Sequence, residues 1–129
     1  MNAGIRNIKV TAARSTTGLL EAPVPFTAAT NTSIFAFNRL ATPGILVVRD
    51  NLTTPASGQA HVRFFNLSPG APAVTVGTLS NNTFTAIPAI TNRSFETQTT
   101  AIANQNFTPL PTGTYTLVVK VASNNTSVL

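Results

Sequence analysis

The sequence predicts an all-β chain, an antiparallel β-sandwich of seven to nine short strands. Three observations carry that expectation. Charged residues make up only 9% of the 129 positions, while 30 are Ser or Thr, and amphipathic helices normally place Glu, Lys and Arg on their wet face. Nine Pro and seven Gly are spread along the chain, which interrupts it too often for long helices. Between those breaks, apolar and polar residues alternate in short runs, with turn signals about every 10 residues, as in a sandwich. The length fits one domain, a single β-sandwich unit over 1–129, with little core to spare.

Taken in order, residues 5–13 alternate, with Ile8, Val10 and Ala12 on one face and Asn7, Lys9 and Thr11 on the other, a half-buried strand. Residues 14–22 read as a polar connection, after which Pro23 and Pro25 exclude a central strand position. Asn31–Phe37 reads as a second strand, Pro43-Gly44 as a turn, and residues 45–48 as a short apolar strand. Then Ala60, Val62 and Phe64 point one way and Gln59, His61 and Arg63 the other. A Ser-Pro-Gly-Ala-Pro elbow at residues 68–72 follows, which no helix can cross. Residues 73–76 form the next strand, Asn81-Asn82 a turn, and Phe84 with Ile87 a further strand ending at Pro88. Residues 93–99 read as an edge strand. The strongest alternation lies at residues 114–122, with Tyr115, Leu117, Val119 and Val121 as its inward set.

An offset of 109 residues lays GIRNIKVTA at residues 4–12 on GTYTLVVKV at residues 113–121. Ile8 falls on Leu117, Val10 on Val119 and Ala12 on Val121, and the register continues ungapped to Leu20 on Leu129. The chain then reads as one repeat period with an overlap, 4–55 being the later half of one copy and 58–129 the early half of the next. Two outcomes are open: a circularly offset domain closing on itself, or open strand edges that pair with another copy and build a filament.

The net charge is +5, from eight cations against three acids. The cations (Arg6, Lys9, Arg14, Arg39, Arg49, Arg63, Arg93 and Lys120) are scattered, whereas nucleic-acid binding wants them clustered among aromatics; no nucleic acid is expected as a partner. With no cysteine, disulfides and thiolate metal sites are out of reach. No apolar run approaches the roughly 20 residues of a transmembrane helix, and the first residues lack the pattern of an export signal.

Catalytic, cofactor and metal sites are all expected to be absent. His61 is the lone histidine, and a metal site around it would have to draw on Glu21, Asp50 and Glu96, the same acids a glycosidase pair would need. A polar residue on a strand's wet face accounts for His61 better. Arg63 reads as an arginine bonding the backbone carbonyls of the elbow rather than a ligand. Tyr115 fits a tyrosine corner, with its ring in the core and its hydroxyl bonded to backbone upstream. Asn-x-Ser/Thr sequons at Asn31, Asn51, Asn66, Asn81, Asn92, Asn106, Asn124 and Asn125 read as a by-product of Asn/Thr-rich loops.

At residues 58–77 the sequence GQAHVRFFNLSPGAPAVTVG resembles the DUF4397 family of bacterial exported proteins. The matching positions are Gly58, Ala60, Val62, Arg63, Phe64, Asn66, Ser68, Pro69, Ala71, Pro72, Val74 and Val76. Arg49-Asp50-Asn51 resembles the family's lead-in and Pro111-Thr-Gly-Thr-Tyr115 its later strand, so the resemblance is strongest from about residue 45 to 129. Gly70 and Thr75 stand where the family often has acids, which removes the basis for a cation site there. The resemblance implies an Ig-like, Greek-key sandwich in a secreted or lipid-anchored envelope protein, with no catalytic residues to carry over. The expected role is a non-catalytic extracytoplasmic module, structural or adhesive, whose partners are other copies or neighbouring repeats. The alternatives are a strand-exchanging filament subunit and a carbohydrate-binding accessory module; the absence of Trp and the single Tyr count against a sugar-stacking platform.

Overall fold

The computed structural model describes residues 3–128. It is all-β, with nine strands in sheets that are antiparallel throughout, one short α-helix and one 3-10 turn among the described residues. The chain divides into two compact units.

The first unit runs through Leu52 and recaptures Thr97–Gln105. Strands β1 (Gly4–Thr11) and β2 (Gly18–Phe26) form one antiparallel hairpin, and β3 (Asn31–Phe37) with β4 (Gly44–Asp50) a second. Its buried apolar residues are Val24 of β2, Leu46 and Val48 of β4, and Ala101 of helix α1 (Gln98–Ala103). The helix also closes the outer edge of β4. Gln98 uses its carboxamide as a surrogate peptide, donating to the Val47 carbonyl at 2.7 Å and accepting from its N–H at 3.0 Å. Two residues on, the Arg49 N–H donates to the Gln105 side-chain carbonyl at 3.0 Å. An uncovered strand edge is a template for pairing with other chains, and here two glutamines occupy it.

The second unit comprises Thr53–Glu96 and Asn106–Leu129. Its three-stranded sheet has the order β7-β6-β9, from β6 (Val74–Ser80), β7 (Thr83–Ala86) and β9 (Thr116–Val121). The β6–β7 hairpin turns at Asn81 and Asn82, whose φ values of 47° and 59° give the twist of a type I′ turn. Strands β5 (Gln59–Val62) and β8 (Thr108–Pro111) form a two-stranded sheet. Val62, Phe64 and Leu110 on that side, and Val119 of β9, pack against Val76, Ile87 and Ile90, so the two sheets share one core.

Three expectations need correction, and one strand had no expectation at all. Residues 14–22 are not merely a polar connection, because β2 starts at Gly18 and runs through both prolines, with Pro23 opposite Asn7 and Pro25 opposite Ile5. In a two-stranded sheet β2 is an edge strand, where a missing N–H can face away from the ladder. The expected edge strand at 93–99 is a single bridge, Val74 to Arg93, followed by α1. Thr97 and Thr100 form a capping box there, which satisfies the first free N–H groups of the helix. Residues 108–111, unassigned from sequence, pair with β5 despite Pro109 and Pro111, again on an edge strand. Finally, Tyr115 and Leu117 are not core: they are 40% and 56% exposed, while Val118 is buried. Leu117 does share a face with Val119, but no layer covers it. Val118 lies on the other face of β9, where Phe84 closes over Gly77 and Lys120 over Phe84.

Candidate functional site

Two places concentrate the polar chemistry and the open apolar surface of this chain, and both lie in the second unit. The first is the elbow between β5 and β6. Prolines and glycine break the chain there, so its carbonyl and N–H groups cannot enter a ladder and need side-chain partners. Asn66, which is buried, supplies them on both sides. Its Nδ2 donates to the Arg93 carbonyl at 3.1 Å and to that of Pro72 at 3.4 Å, and its Oδ1 accepts from the Ser68 N–H at 3.2 Å. The Glu96 N–H in turn donates to the Asn66 carbonyl at 2.9 Å.

Arg93 completes the clamp. One Nη2 donates to the Phe64 carbonyl and to Glu96 Oε1, both at 3.1 Å, and Nη1 donates to the Ala89 carbonyl at 3.4 Å. The Glu96 side chain is 1% and that of Arg93 11% exposed, so this ion pair is largely removed from water and depends on both partners being present. The backbone of Arg93 bonds Val74 in both directions, at 3.0 and 2.7 Å, which ties the clamp to the first residue of β6. Asn66 belongs to the motif read from sequence; Arg93 and Glu96 carried no signal beyond a three-residue separation that also fits an exposed helical pair.

Arg63, expected to bond carbonyls of the elbow, also has ring contacts. Its guanidinium lies over the rings of Phe107, at 4.5 Å, and Phe65, at 5.0 Å, a cation–π arrangement, and Arg93 reaches the Phe64 carbonyl of the motif. His61 stacks on Phe107 with centroids 6.1 Å apart. Each acid has a local partner: Glu21 accepts from Asn7 at 2.7 Å, Asp50 from the Ser33 hydroxyl at 2.7 Å, and Glu96 from Arg93. Among the sequons, Asn66 is buried, whereas Asn81, Asn92 and Asn125 occupy left-handed turn positions.

The second place is an open cleft of about 440 Å³ beside β9. Ala60 and Val62 of β5, Leu110 of β8, Tyr115 just before β9 and Leu117 within it line it. Its floor is continuous with the core, because Val62 and Leu110 also pack against Val76, Ile87 and Ile90. Tyr115 donates its hydroxyl to the Pro111 carbonyl at 2.6 Å. The upstream bond of a tyrosine corner is therefore made, but the ring forms the cleft wall instead of filling the core. Chemically, the elbow holds backbone and the cleft offers apolar surface next to a strand edge.

A family described as "Domain of unknown function (DUF4397)" matches residues 1–77. The match ends at the last residue of the motif stretch and extends back over β1 to β4, whereas the resemblance read from sequence is strongest from about residue 45 onward. Neither a curated protein nor a solved structure matches the chain.

Proposed function

The chain belongs to the DUF4397 family, a domain of unknown function, and from that membership we propose that it is a non-catalytic, extracytoplasmic β-sandwich module with a structural or adhesive role in a cell-surface or secreted protein. One observation carries the non-catalytic part of this reading. Buried Asn66 and Glu96 and the part-buried Arg93 direct the hydrogen bonds described above at the chain's own backbone and at each other. Groups committed in this way hold a loop in place and are not poised to meet a substrate. The extracytoplasmic setting rests on the resemblance of residues 58–77 to exported proteins. Partners of such a module are other copies or neighbouring repeats, with no cofactor and no nucleic acid.

Protease shaving of intact source cells tests the setting. The chain should be cleaved while a cytosolic marker stays whole; protection equal to that of the marker overturns the proposal.

A further inference from the structure

The turn after β1 and the turn after β9 contain the same hydrogen bond. In the first, the Thr17 N–H donates to Ser15 Oγ at 3.1 Å; in the second, the Thr126 N–H donates to Asn124 Oδ1 at 3.0 Å. Donor and acceptor of the second bond both lie 109 positions after those of the first, the offset already visible in the sequence. That offset also carries Thr11↔Gly18, the pairing at which β2 starts, onto the isolated bridge Lys120↔Ser127. Val128 continues antiparallel to β9, donating to the Val119 carbonyl at 2.8 Å. The residues after β9 thus begin a strand related to β9 as β2 is related to β1.

Against β1, that relation is complete. Val10 pairs with Leu20, Ile8 with Ala22 and Arg6 with Val24, and Val24 is buried. Against β9, it stops at Val128 among the described residues. Carried forward by the offset, the Leu20 position falls on residue 129 of the chain itself, while Ala22 and Val24 of such a strand would stand beside Leu117 and Tyr115. Leu117 and Tyr115 are the exposed wall of the cleft whose floor is Val62 and Leu110. The prolines of β2 fit as well, since β1 accepts them opposite Asn7 and Ile5, and the offset puts Thr116 and Thr114 at those positions.

We propose that the free edge of residues 114–118, the start of β9 and the two residues before it, with the adjoining apolar cleft, is the seat of an antiparallel strand of the β2 type donated by a second copy of this chain. This deepens the proposed structural role by naming the partner segment and its register. Backbone pairing to an open edge supplies the attachment, and alternate side chains entering the cleft supply the selectivity. The donor hairpin gives up β1 and gains β9, an exchange of like elements between copies.

The seat is tested on the full chain, isotope-labelled and titrated with the synthetic peptide of residues 18–26 while amide shifts are followed. Saturable shifts should concentrate at residues 114–119 and at Ala60, Val62 and Leu110. The L20D/A22D/V24D peptide should bind at least tenfold more weakly, and so should the native peptide to a Leu117→Asp chain, which remains folded because Leu117 is exposed. Absence of saturable shifts, equal binding of the two peptides, shifts centred on β1, or indifference to Leu117→Asp would each overturn the seat. The donor is tested by mixing Leu117→Cys and Ala22→Cys chains, which have no other cysteine, and refolding them together from urea under oxidising conditions. The heterodisulfide should exceed the homodisulfides severalfold; statistical or absent cross-linking overturns the second copy as donor. A cell-surface chain that ignores the peptide would keep the proposed role and lose this inference, and a cytosolic chain that binds it would do the reverse.

Discussion

A Cβ on Gly77 would lie 2.5 Å from the Phe84 ring, with the Thr85 carbonyl also in the way. The glycine lets an aromatic from β7 lie across the central strand β6, and Lys120 from β9 then approaches that ring at 4.5 Å. Gly44 and Phe37 repeat the device in the first unit, where a Cβ would come within 2.7 Å of the ring. Gly77→Val should destabilise the chain by about 1–3 kcal/mol, the usual cost of overpacking, read as a lower urea midpoint with an unchanged slope. The contrast between Val76 and Leu117 tests the faces of the second unit. Val76→Asp buries an unpaired charge in the core cluster and should leave the chain unfolded, whereas Leu117→Asp should leave the circular dichroism spectrum and melting temperature close to native. Alternation identified which residues share a face with Val119. It could not identify which of them are covered, since coverage depends on how far the neighbouring sheet extends. That is why Leu117 and Tyr115 read as core from sequence.

Strands hidden from sequence share one physical cause. β2 and β8 each contain two prolines, and proline is a breaker for any strand paired on both sides; in two-stranded sheets it is compatible. β3 and the Asn81-Asn82 hairpin were legible because nothing opposes their local signals. Helix α1 was not, as its six residues, QTTAIA, have modest helix propensity, and the element stands on its capping box and on Gln98 docking to β4. That docking yields a prediction for the element. Replacing Gln98 and Gln105 together by Ala removes three bonds from the edge of β4. At about 1 kcal/mol for a typical net hydrogen bond, amide exchange at Val47 and Arg49 should accelerate by about fivefold or more. Light scattering should also show slow aggregation as the edge is uncovered.

For the whole molecule, the all-β class and the family were legible because they depend on composition and on the residues at 58–77. The polar clamp was legible only in part: Asn66 sits in the motif, but Arg93 and Glu96 reach it across more than twenty residues of chain, a distance over which sequence spacing says nothing about contact. The proposed role rests on that clamp being architectural, and urea unfolding of Glu96→Ala tests this most directly. The substitution strands the Arg93 guanidinium in a site where Glu96 is 1% exposed. The chain should lose about 3–5 kcal/mol, as when one partner of a buried ion pair is removed, and amide exchange at Asn66, Ser68 and Val74 should rise first. A Glu96→Ala chain with native stability and an unperturbed elbow would contradict the account, because the buried carboxylate would then be held for something other than the fold.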